Sequence, residues 1–192
     1  MLFFDTANEV VPGFTIDQDN LKVIENLFYY FIGLEREYDL NKGLWIMGGN
    51  GTGKTKILKI FSLFGQKRYN GFKVYECMTI SNEYATKGDI EKYTYNQQGS
   101  YSTQKPADMG FDELGRETIP ANHFGQRLNV MQYILHIRYS LWQSEGIKTY
   151  ITTNLSTDEV HDLYDGDKDK FISDRCREMF NVVTLLGNSR RK

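Results

Sequence analysis

Eight consecutive residues, Gly48-Gly49-Asn50-Gly51-Thr52-Gly53-Lys54-Thr55, spell G-x-x-x-x-G-K-[ST] between the apolar run Leu44-Trp45-Ile46-Met47 and a stretch with helical spacing. A strand, a glycine-rich turn and a helix in that order leave few folds open. The glycines let successive backbone N–H groups curl around a phosphate, and the following helix offers its positive end to the same anion. Lys54 is then placed to reach the β- and γ-phosphates of ATP, and the Thr55 hydroxyl to ligate Mg²⁺. The eight residues from Gly48 to Thr55 together are the expected nucleotide-binding loop.

The remaining periodicity alternates strands with helices. Residues 19 to 32 read as a helix through Leu21, Ile24, Leu27, Phe28 and Phe31, capped by Asp17 or Asp19 and stopped at Gly33. A strand at 44 to 47 leads into the phosphate loop, whose helix is expected from about Lys54 to Phe64. Residues 72 to 80 alternate like a second strand, and 84 to 105 are polar and tyrosine-rich, consistent with short helices and a loop. A third strand ends at Phe111-Asp112-Glu113. Arg127 to Ser144 is an amphipathic helix through Leu128, Met131, Ile134, Leu135, Leu141 and Trp142, stopped at Gly146. A fourth strand is expected at 148 to 153, helices at 157 to 164 and 171 to 180, and a fifth strand at 182 to 186. This order predicts an α/β fold: a three-layer α/β/α sandwich around a five-stranded parallel sheet.

With 192 residues, 40% of them apolar, the chain is expected to be one domain with a core that needs no disulfide. Cys77 and Cys176 form no C-x-x-C pair and read as reduced core thiols. No apolar run approaches a membrane span, and no basic segment precedes an apolar stretch at the N-terminus, so the expected location is cytoplasmic with no membrane partner. Net charge is −2, which excludes the strongly basic footprint of a dedicated DNA-binding domain. The charge is uneven. Residues 1 to 40, an acidic and helical segment, hold eight acids against two bases, which leaves +4 on the nucleotide-binding core at 41 to 192. That balance permits a nucleic-acid partner.

Asp112-Glu113 falls at the C-terminal end of a predicted strand, beside the place a parallel sheet gives the phosphate loop. This is the pattern of a Walker B site. Asp112 would hold Mg²⁺ through its water shell, and Glu113 would polarise the attacking water. The next strand finishes in Thr153-Asn154 at the same edge, which places the Asn154 amide between the γ-phosphate and that water. Tyr84, Tyr93, Tyr95 and Tyr101, mixed with Lys87 and Lys92, suit either stacking on single-stranded bases or a loop packed by its own rings. Asp165, Asp167 and Asp169 are spaced like calcium-loop ligands, but Lys170 and Cys176 stand where such a loop needs Gly and Glu.

Several stretches taken in order resemble the AAA+ ATPases of the DnaC/IstB type, helicase loaders and transposition helper proteins. They are Lys42-Gly43-Leu44-Trp45 running into GGNGTGKT, Asp112-Glu113-Leu114-Gly115, Thr152-Thr153-Asn154-Leu155-Ser156, Arg175-Cys176-Arg177-Glu178, and Gly187-Asn188-Ser189-Arg190-Arg191. The resemblance implies an AAA+ core without a helical lid domain, and an ATP-dependent homo-oligomer, a ring or spiral. In such an assembly Arg175 of one subunit, or else Arg177, completes a neighbour's site, while Arg191, with Arg190 adjacent, senses nucleotide. DNA and a replicative helicase or transposase are the implied partners. Only 47 residues precede the phosphate loop, so the separate N-terminal domain of some loaders is not expected. Two other readings stay open: a nucleotide-gated adaptor that works by contact, and a small-molecule kinase. The kinase reading requires an arginine-bearing lid among residues 114 to 147; Arg116, Arg127 and Arg138 lie there, the last two expected on one long helix.

Overall fold

A computed structural model describes residues 2–96, 105–164, 171–187 and 189–190. In chain order the elements are α1 (Leu2–Val10), α2 (Leu21–Ile32), β1 (Gly43–Gly48), α3 (Lys54–Gln66), β2 (Lys73–Glu76), α4 (Cys77–Lys87), α5 (Glu91–Thr94), β3 (Met109–Leu114), β4 (Ala121–His123), β5 (Gln126–Leu128), α6 (Val130–Glu145), β6 (Thr149–Thr153), α7 (Thr157–Tyr164), α8 (Phe171–Met179) and β7 (Phe180–Leu185). Five of the strands form one sheet in the order β2-β3-β6-β1-β7, every neighbouring pair parallel. The five expected strands and their layering between helices are therefore present.

Side chains alternate across this sheet with the two-residue period of a strand. Leu44, Ile46 and Tyr150 enter a cluster with Ile24, Leu27, Phe31, Phe61 and Phe64 of α2 and α3, joined by Phe3 of α1. Trp45, Phe111 and Ile151 point the other way, into a cluster with Ile80 of α4 and Met131 and Ile134 of α6. Burying each of these large apolar side chains contributes roughly 1.5–3 kcal/mol. The sheet's C-terminal edge, where β1, β3 and β6 end side by side, is left between the two layers.

Two local readings are corrected and one open choice is decided. The strand expected over 72 to 80 stops at Glu76, because Cys77, Ile80, Ser81 and Tyr84 are buried at helical spacing and pack as one face of α4. Residues 126 to 128 do not open the long helix; they pair with β4 as a two-stranded antiparallel hairpin. Its turn is closed by the Gly125 N–H donating to Asn122 Oδ1, and Asn129 Oδ1 accepts the Gln132 N–H to start α6 at Val130. Arg127 thus lies on a strand, whereas Arg138 lies on α6. The open choice at the tyrosines falls to packing for Tyr84 and Tyr93, which are buried and cannot stack on bases; Tyr95 is exposed, and Tyr101 lies outside the described residues. The acidic stretch at 165 to 169 also lies outside them. No helix among the described residues is long and apolar enough to cross a membrane.

Candidate nucleotide site

The phosphate loop sits where the sequence places it, between the end of β1 and the start of α3. Gly51 and Gly53 hold φ of 81° and 98°, a left-handed backbone that glycine adopts without a Cβ penalty and that curls the chain. Gly51 has a second requirement. A Cβ there would stand 2.2 Å from Ser189 Oγ, because the segment after β7 lies across the loop and the Arg190 N–H donates to the Gly51 carbonyl at 2.9 Å. Thr52 is buried and donates its hydroxyl to the Gly49 carbonyl.

Lys54 is only 8% exposed. Its ammonium donates to the Gly48 and Gly49 carbonyls, both at 2.7 Å, and to Asn154 Oδ1 at 2.5 Å. The expected Lys54 and Asn154 are thereby brought into direct contact from β1's loop and β6's end.

Asp112 and Glu113 occupy a β-bulge. Phe111 pairs with Ile151 and Leu114 with Thr153, so two residues of β3 face the single Thr152 of β6. Glu113 takes φ of 59°, a left-handed conformation costing a non-glycine residue on the order of 1–3 kcal/mol and concentrated at functional sites. Thr152 serves both residues of the bulge. Its hydroxyl donates to Asp112 Oδ1 at 2.5 Å and accepts the Glu113 N–H at 2.9 Å. Thr55 donates to the same Asp112 oxygen at 2.9 Å. Asp112, at 2% exposure, is therefore fixed against the phosphate-loop helix, and the half-buried Glu113 is turned out of the ladder beside it.

Thr152 was not a candidate on sequence grounds, since a threonine in a strand reads as an ordinary β-branched strand former. A signal was present. Thr149, Thr152 and Thr153 are all buried in a central parallel strand, where aliphatic residues are the rule and every buried hydroxyl must find a partner. Thr153 likewise donates to the Leu114 carbonyl just beyond the bulge.

The arginines are dispersed. Arg175 lies on α8 with its guanidinium 4.7 Å from the Tyr139 ring centroid and 2.6 Å from His136 Nδ1, both on α6. Burial and the Arg175 charge hold the His136 pKa below its ordinary value. Arg177 is exposed, 3.8 Å from Asp174. Arg190 grips Asp17 with both terminal nitrogens, at 2.6 and 2.8 Å, and this pairing lowers the Asp17 carboxyl to about 2. Arg191 lies outside the described residues.

No group of three or more His, Cys, Asp or Glu able to hold a metal ion occurs among the described residues. Thr55 and Asp112 supply a hydroxyl and one carboxylate. That sparse oxygen set fits Mg²⁺, which keeps several waters and binds with the substrate's phosphates rather than in an all-protein cage.

No protein-family model matches the chain, and no curated protein is significantly similar to it in sequence. Solved structures do match. The crystal structure of DnaI aligns over 96% of this chain and 93% of its own, with a TM-score of 0.67 and 22% identity. That of the DnaC helicase loader aligns over 92% of this chain and 96% of its own, with a TM-score of 0.64 and 15% identity. AMPPCP-bound DnaA from Aquifex aeolicus aligns over 92% of this chain and 50% of its own, with a TM-score of 0.57 and 19% identity. The chain thus shares the α/β fold of these structures, the layered parallel sheet that the sequence suggested.

Proposed function

We propose that this chain is a Mg²⁺-dependent ATPase of the AAA+ type, acting as an accessory factor in DNA replication in the manner of a helicase loader. The observation that carries the chemistry is the hydrogen-bonded chain from Thr55 through Asp112 and Thr152 to Glu113, with Lys54 against Asn154 at its flank. The fold shared with DnaI and DnaC supports the biological setting.

The residues divide the work by position. The phosphate-loop N–H groups receive the phosphate oxygens, and Lys54 exchanges the Gly48 and Gly49 carbonyls for them, since an ammonium binds an anion more strongly than a neutral carbonyl. Mg²⁺ bound with the nucleotide would offset its phosphate charge, and Thr55 with Asp112 would hold it. Glu113, turned out by the bulge, accepts the proton of the attacking water. Asn154 orients that water, and Arg175 acts on the neighbouring subunit of a homo-oligomer, its guanidinium suited to two phosphate oxygens at once.

A nucleotide-gated adaptor remains the second reading because Arg175 rests on His136 and Tyr139 of its own α6, which leaves an isolated chain without a cation from a neighbour. Turnover separates the two. Glu113→Gln should bind ATP and lose hydrolysis; mixing it with Arg175→Ala, inactive alone, should restore activity through interfaces that pair an intact Glu113 with an intact Arg175. Negligible turnover of the parent protein with DNA present would favour the adaptor.

A further inference from the structure

The turn that follows Glu113 carries an arginine into the mouth of the phosphate loop. The Arg116 N–H donates to the Glu113 carbonyl at 3.1 Å, which reverses the chain immediately after the bulge. Glu117 anchors this reversal. It is 7% exposed, takes the Gly115 N–H on Oε2 at 2.8 Å, and receives the Tyr164 hydroxyl on Oε1. Gly115, at φ of 91°, is pressed so closely to the segment after β6 that a Cβ would stand 2.4 Å from Leu155 Cδ1. The turn is held from both sides, and Arg116 projects from it.

The exposed Arg116 side chain reaches across the C-terminal edge of the sheet to the phosphate loop itself, where Nη2 donates to Asn50 Oδ1 at 3.2 Å. Among the described residues no carboxylate pairs with this guanidinium. It has five N–H donors and gives one to a neutral amide oxygen. That differs from Arg190 at the other rim, which is neutralised by Asp17.

The side from which Arg116 arrives decides which phosphate it meets. It comes from the strand that carries Asp112 and Glu113, and Asp112 lies on the side of the loop where Thr55 stands. That is the side of the metal and therefore of the β- and γ-phosphates, the terminal one being nearest Glu113. A terminal phosphate is a charged acceptor and a stronger partner for a guanidinium than the Asn50 amide.

We infer that Arg116 is a phosphate-binding residue of this site, which leaves Asn50 to contact the terminal phosphate of a bound nucleoside triphosphate from within the same subunit. The inference rests on the reading of the loop as an ATP site. It adds a cation in cis to the one expected in trans.

The test compares nucleotides with and without the terminal phosphate. Fluorescent ADP and a fluorescent non-hydrolysable ATP analogue are titrated with Mg²⁺ into the parent, Arg116→Ala and Arg116→Lys. Arg116→Ala should weaken the triphosphate about tenfold and leave ADP within about twofold, with Arg116→Lys between, since an ammonium keeps the charge and loses the fork. Because Arg116 is exposed, all three proteins should melt alike. If both nucleotides weaken together, or neither does, Arg116 only braces the loop and the inference is overturned while the ATP site stands. If the parent binds neither nucleotide, the reading of the site fails and this inference with it.

Discussion

Lys54 and Arg138 are both buried cations at strand ends of the same sheet, and they sit at opposite edges. Lys54 lies at the C-terminal edge, held by two carbonyls of its own loop and by the Asn154 side chain. Arg138, fully buried, lies at the N-terminal edge, where Nε donates to Thr149 Oγ1 and Nη2 to the Ala107 and Lys148 carbonyls. Burial lowers its pKa to about 10, still far above neutrality, so it remains charged. The difference lies in what can replace the partners. On the proposed reading phosphate oxygens exchange with the Gly48 and Gly49 carbonyls at the open edge, whereas the partners of Arg138 are the Thr149 hydroxyl and backbone carbonyls leading into β3 and β6, with Phe111's ring 5.7 Å away. A buried charge therefore marks a site only when its partners are exchangeable.

The comparison breaks most visibly at Arg138. Arg138→Ala should destabilise the fold by about 3 kcal/mol or more, through a cavity and through buried acceptors left unpaired, and the folded fraction should bind nucleotide like the parent. Urea unfolding together with nucleotide titration would check both halves. A stable Arg138→Ala protein with impaired binding would place Arg138 in the functional class.

Lys54→Ala is the reciprocal change. It should weaken ATP binding about 100-fold or more, equivalent to about 2.8 kcal/mol, while unfolding in urea like the parent. Wild-type binding by this variant would remove the distinction between the two cations and the nucleotide reading along with it.

Much of this contrast is legible in the sequence, though unevenly. The phosphate loop, Asp112-Glu113 and Asn154 announce themselves because each combines a residue type with a strand end, and a parallel sheet brings its strand ends to one edge. Arg138 and Arg116 carry no such mark. The role of Arg138 depends on which strand starts its helix face covers, and that of Arg116 on a turn folding across the loop; both are set by contacts distant in sequence, such as Arg138 on Ala107 and Tyr164 on Glu117. The hairpin of β4 and β5 escaped because two three-residue strands are too short to show alternation, and Gln126-Arg127-Leu128 merges with the apolar period of α6. At α4, four residues of half-exposed edge strand run directly into a helix, so the alternation of Val74, Tyr75 and Cys77 overran the boundary.

Between the two extremes stands Thr152, whose partners are the site's own carboxylate and backbone. Thr152→Val keeps the β-branched shape and removes the hydroxyl, leaving the Glu113 N–H unpaired and Asp112 held by Thr55 alone. Turnover should fall about tenfold, or about 1.4 kcal/mol in barrier, with a raised Mg²⁺ requirement. Thr152→Ser should restore most of it. If the valine variant turned over ATP at the parent rate and Mg²⁺ optimum, Thr152 would be a packing residue only.

The smallest effect concerns a third cation, Arg190, which lies on the phosphate loop yet is paired with Asp17. By the criterion of exchangeable partners it belongs with Arg138, because its partner is a carboxylate as charged as a competing phosphate oxygen. The pH dependence follows from the Asp17 carboxyl, lowered by Arg190 from 3.8 to about 2 in the folded protein. A depressed carboxyl pKa gives stability that is complete above the unfolded value of 3.8 and is lost as pH falls through the folded value near 2. The difference in urea midpoint between the parent and Asp17→Asn should accordingly be small, constant from pH 8 to about pH 5, and shrinking below about pH 4 as the unfolded carboxyl takes up its proton. Both groups are largely exposed, so salt should diminish it further. Nucleotide affinity decides the class. Asp17→Asn should leave it unchanged if Arg190 only clamps the chain end to the loop, whereas a several-fold tightening would show that Arg190, once released, turns to the phosphates as Lys54 does.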